Sequence, residues 1–96
     1  MTKFDVLIKV YGELIIEFQS IEGDLISQLV ASWETSLKQI DDFINTQKVK
    51  KSQIVSGLEQ GLREIPDILS DLPSPIKEEA LKKFNSVVVV SIPNFR

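Results

Sequence analysis

The sequence predicts an all-α fold: an antiparallel bundle of three or four helices with an extended, valine-rich C-terminal tail. Three observations lead there. An apolar stripe keeps helical phase from Phe4 to Ile44. Breakers at Gly23, Pro66 and Pro73-Ser74-Pro75 divide the chain into helix-sized pieces. The run Val87-Val88-Val89-Val90-Ser91-Ile92 is uncharged and largely β-branched, a composition that favours extended backbone.

The stripe organises the rest. Set at steps of about 100° around an axis, the polar residues between Phe4 and Ile21 fall in one arc of roughly 160°. They are Asp5, Lys9, Gly12, Glu13, Glu17, Gln19 and Ser20. Opposite them lie Phe4, Leu7, Tyr11, Leu14, Phe18 and Ile21, spaced by threes and fours. A rival reading exists. Phe4, Val6, Ile8 and Val10 alternate, Gly12 suits a turn, and Leu14, Ile16 and Phe18 alternate after it. That hairpin would pair with the tail strand in an α+β fold. The helical stripe accounts for more positions, so a helix is predicted over 3–22. Thr2 is placed to cap it, with Asp5 as the capping-box acid.

The phase survives Glu22-Gly23-Asp24, so one continuous helix or two helices broken at Gly23 both fit. The break is preferred, because helices beyond about 25 residues are uncommon in globular domains. A second helix is predicted over 25–47, with Ile26, Val30, Trp33, Leu37, Ile40 and Ile44 on one face. Lys48, Lys50 and Lys51 then complement its negative end.

A third helix is predicted over 53–65. Ser52 would cap it, and Ile54, Leu58, Leu62 and Ile65 form its apolar face. Gly57 and Gly61 stand four apart within it, each costing about 1 kcal/mol against alanine. Such a pair points either to close approach of another helix or to a loosely formed helix. Pro66 should stop or kink this helix near Ile65, because it lacks a backbone N–H. Ser74 followed by Pro75 is a helix-start signal. The last helix is predicted over 75–85, buried through Ile76, Ala80, Leu81 and Phe84. Glu78–Lys82 and Glu79–Lys83 have ion-pair spacing. The tail is assigned to 86–96.

Ninety-six residues make one domain, 1–96, with a modest core. The net charge is −3, divided unevenly: −5 over 1–46, +3 over 47–51 and −1 over 52–96. An acidic chain is a poor general nucleic-acid binder. There is no cysteine and no histidine. Disulfides, thiolate zinc sites and cysteine nucleophiles are thereby excluded, and so is the commonest general base. Gly57 and Gly61 do not match a phosphate loop, and Asp41-Asp42 does not match a calcium loop. No segment reaches the roughly 18 apolar residues of a membrane span, and Asp5 and Lys9 interrupt the N-terminal apolar region. The expectation is a cytoplasmic protein, not an enzyme, with no cofactor or metal and with a small-molecule ligand unlikely.

What remains is a surface for another protein. A wide stripe over 4–26 and an unpartnered valine run are more apolar surface than a chain this short readily covers. A non-catalytic interaction module that self-associates as a homo-oligomer is therefore the first expectation. Tyr11, Phe18, Trp33, Val88, Val90 and Phe95 are the candidate interface residues. Two rivals are carried along: an acidic inhibitor or immunity-type protein that binds a basic partner, motivated by the −5 of residues 1–46, and a carrier of an apolar ligand in the bundle core.

Overall fold

The structure, a computed structural model, describes residues 2–46 and 50–92. It is all-α. Four helices follow one another, α1 (Lys3–Phe18), α2 (Asp24–Thr46), α3 (Lys51–Leu69) and α4 (Ile76–Ser91). No strand occurs among the described residues, so the N-terminal hairpin and the α+β alternative fall.

α1 begins at the predicted cap. The Thr2 hydroxyl oxygen accepts from the Asp5 backbone N–H at 3.2 Å, and the Asp5 carboxylate accepts from the Thr2 hydroxyl at 2.8 Å. It ends at Phe18, four residues short of the predicted end. Gln19 and Ile21 close the last turn onto Ile15 and Phe18 carbonyls, and Ile21 tucks into the core. Gly23 then takes φ 146°, a backbone conformation open to glycine at little steric cost. The break at Gly23 is therefore real, and α2 opens with Asp24 as its first residue.

The order is up, down, up, down. α1 packs against all three other helices, and α3 and α4 pack on each other. α2 packs in strength on α1 only. Contacts at matching heights show α3 running in the direction of α1. The Lys51 ammonium lies 5.3 Å from the centre of the Phe4 ring, and the Tyr11 hydroxyl meets Leu58. α1 and α3 thus form the short diagonal of the bundle. The molecule is elongated, 43 × 28 × 19 Å.

The stripe that nominated α1 is its buried face: Leu7, Val10, Tyr11, Leu14 and Phe18. Trp33 of α2 meets Phe18 edge-on, ring centres 5.2 Å apart at 75°, a favoured aromatic geometry. Leu62, Ile65 and Leu69 of α3 and Ala80 and Phe84 of α4 complete the centre. Among the described residues, no buried side-chain polar atom lacks a hydrogen-bond partner.

Four local expectations are corrected. The tail is not extended from residue 86: α4 runs on through the valines to Ser91. Val87 and Val88 continue the buried face set by Ala80 and Phe84, at i, i+4, i+7 and i+8. A valine costs up to about 0.7 kcal/mol against alanine in a helix. Burying one contributes about 1.5–3 kcal/mol, so packing overrides propensity.

Pro66 does not end α3, which continues to Leu69. Ile65 and Leu69 are both buried on either side of it, and that anchorage holds the chain in helical register. Downstream, the Pro66 carbonyl accepts from the Ser70 N–H at 3.0 Å and from the Ser70 hydroxyl at 2.8 Å.

Ser52 does not cap α3. Lys50 occupies that position, with its backbone N–H donating to the Gln53 side-chain oxygen at 3.3 Å. Lys50 and Lys51 therefore belong to the start of α3 rather than the end of α2, and Lys48 lies outside the described residues. Finally, Pro75 rather than Ser74 holds the cap position of α4. The Ser74 hydroxyl donates to Glu78 at 2.7 Å, and Lys83 reaches across to Glu17 at 3.4 Å, in place of the two ion pairs expected along α4.

Candidate functional site

Three places on the molecule carry more than generic packing. The first is a knot between α1 and α3. Tyr11 is buried, and its hydroxyl donates to the Leu58 carbonyl at 2.9 Å. The ring tip lies over Gly61: a Cβ there would sit 2.6 Å from the phenol oxygen. Of the glycine pair, Gly61 alone makes a close approach, to the tip of a side chain, while Gly57 meets nothing within 4 Å. Burial pushes the phenol up to about 12, with the Glu64 charge adding to it. The hydroxyl is a locked structural donor, not a poised acid or base.

The second is a hollow of about 410 Å³ between α1 and α4, lined by Glu17, Glu79, Lys82, Lys83, Ser86 and Val87. Its charges are of both signs, and Glu17 and Lys83 already bridge it. It concentrates neither sign and sets no nucleophile beside a base. At the helix starts, Asp5 and Glu78 sit below the usual carboxylate range, chiefly because the Thr2 and Ser74 hydroxyls donate to them. Asp5 completes the capping box of α1, and Glu78 is held by Ser74 at the start of α4. Among the described residues, no group of three or more acidic side chains is placed to hold a metal ion, and no helix is long and apolar enough to cross a membrane.

The third is a groove of about 280 Å³ between the second half of α2 and the first half of α3. Ile40, Ile54 and Leu58 form its floor, and Ser36, Gln39 and Gln53 its polar walls. Phe43 stands on its rim, 39% exposed. Gly57 faces it as a bare patch of backbone, since a Cβ there would meet nothing within 4 Å. No lining residue is charged.

The six candidate interface residues are not brought together. Tyr11, Phe18, Trp33 and Val88 are buried within the chain, where they hold it together. Val90 is 79% exposed and stands beside Val89 on the outside of α4. Phe95 lies outside the described residues. The groove residues Phe43, Ile54, Gly57 and Leu58 were legible only as stripe members and a helix-weakening glycine. No sequence signal joins them, because the groove arises from how α2 and α3 are placed. Comparison of the chain with protein-family models, with curated proteins and with solved structures found no match.

Proposed function

We propose that this chain is a non-catalytic interaction module that self-associates through surface its own core leaves uncovered. The observation that carries this is the groove between α2 and α3, an apolar floor with an aromatic rim and no charge among its lining residues. The chain otherwise closes its core well: the stripe of α1 and the first half of the valine run are internal. Ile16, Ile68, Val89 and Val90 are also exposed, but the groove joins an apolar floor to polar walls, and apolar surface rimmed by polar residues is a common mark of a docking site. An acidic chain approaching its own copy meets no like charge across an uncharged groove. The test is solution mass by light scattering across a range of concentrations. A species heavier than 10.8 kDa that grows with concentration is expected; a 10.8 kDa monomer throughout overturns the reading.

A second reading has its own observation. The outward face of α2 exposes Glu34, Asp41 and Asp42 against a single Lys38. Docking of a basic partner there would weaken steeply between low and physiological salt. A basic partner whose binding ignores salt would exclude it.

A further inference from the structure

Resting on the self-association reading, we infer that the occupant of the α2–α3 groove is α3 of a second copy, laid antiparallel about a twofold axis at Gly57. The argument starts from position. Lys50 at the cap of α3, and Gly57 and Glu64 within it, are spaced by seven, which sets them on one flank with only about 20° of drift per step. All three are exposed, and Gly57 opens into the groove. A twofold contact is reciprocal: if residue i meets j, then j meets i. With the axis at Gly57, Lys50 of one copy falls opposite Glu64 of the other, and the reverse pair forms at the far end. One surface thus supplies both halves of two ion pairs. Glu64 is already steadied on this flank by the Gln60 amide, which donates to it at 3.1 Å.

Shape agrees with charge. At the centre of the crossing, where two helices come closest, the residue is a glycine with open space above it. Helix axes ordinarily stand about 8–10 Å apart, and a bare Cα lets them reach the short end of that range. Phe43 projects from the α2 rim of the same surface, placed to cover the incoming helix while its own groove receives the same cover in return. The flank also places Ile54 opposite Gln60, with no like-charge pair along it; Gly61 takes no part, since Tyr11 covers it from within the chain.

The experiment is a charge swap read by sedimentation equilibrium. Lys50→Glu alone and Glu64→Lys alone each set like charges against each other twice in a homodimer. Each should raise the dimer dissociation constant about tenfold or more. Mixing the two variants pairs opposite charges at both ends again and should return association to within about threefold of wild type, as should the double variant. A folding defect would not be repaired by mixing. If wild type dimerises and the single variants match it, or if mixing restores nothing, this surface is wrong while self-association stands. If wild type is monomeric throughout, self-association itself fails, and this interface with it.

Discussion

Tyr11 and Gly61 are matched across the α1–α3 interface: a Cβ on residue 61 would lie 2.6 Å from the Tyr11 hydroxyl oxygen. The phenol cannot simply withdraw, because it donates to the Leu58 carbonyl. Gly61→Ala should therefore destabilise the chain. Overpacking costs about 1–3 kcal/mol, and the helix-propensity gain of roughly 1 kcal/mol offsets only part of it. Gly57→Ala should do the opposite, stabilising the monomer by about 0.5–1 kcal/mol, because its Cβ meets open space. Urea unfolding at a concentration where the chain is monomeric checks both. A Gly61→Ala variant as stable as wild type would mean that the ring tip yields freely.

The same phenol makes stability sensitive to alkaline pH. Burial raises it from an ordinary 10.0 to about 12 in the folded chain. Between these values the unfolded chain has released the proton and the folded chain still holds it. Stability from this group is then complete below about pH 10 and is lost as pH rises towards 12, on the order of 2–3 kcal/mol in all. Tyr11→Phe removes one buried hydrogen bond, about 0.5–1.5 kcal/mol at neutral pH, and should flatten that decline. An equal alkaline decline in the two proteins would show that other groups cause it.

At the acid end the sign reverses. Asp5 is held low by the Thr2 hydroxyl and Glu78 by the Ser74 hydroxyl. Each contributes stability that is present above the ordinary carboxylate range and is lost as pH falls through the lowered value. Thr2→Ala should return Asp5 towards its ordinary value, and Ser74→Ala should do the same for Glu78. Carboxyl chemical shifts followed by NMR would register each change, and an unmoved Asp5 in Thr2→Ala would refute the assigned cause.

Trp33 couples α2 to the rest of the chain through Phe18. Trp33→Ala should cost about 3–5 kcal/mol, as large aromatic deletions from a core do. Being the only tryptophan, Trp33 reports on itself: its emission should be blue-shifted when folded and should move red in one step on unfolding. Emission at the wavelength of free indole in the native protein would contradict its burial.

The helical periodicity of residues 4–44 carried the fold class, because a stripe at threes and fours accounted for more positions than the rival hairpin over Phe4–Phe18. Thr2–Asp5 was equally readable, because capping is a local requirement, whereas at Gly23 the kept phase left a continuous helix open until its positive φ decided for the break. The valine run misled for a physical reason. Propensity is a local preference, but the helical state of Val87 and Val88 is decided by α1 and α3, which wait to bury them. A deletion after Asn85, which an exposed tail would tolerate, removes two core side chains instead. Pro66 misled in the same way, through flanking residues whose burial no local rule contains. The candidate surface was least legible of all. A groove is defined by what two helices fail to cover, and that depends on their placement rather than on any residue in it.

The unequal mooring of α2 has a consequence for how the molecule breathes. Its first half is pinned by Ile26, Val30 and Trp33, while beyond Trp33 only Ile40 is buried. Amide protons from about Asp41 to Thr46 should therefore exchange with solvent through local openings that leave the α1–α3–α4 trio closed, while those near Leu14 and Leu62 await global unfolding. A second copy lying in the groove would slow the first set and leave the second unchanged.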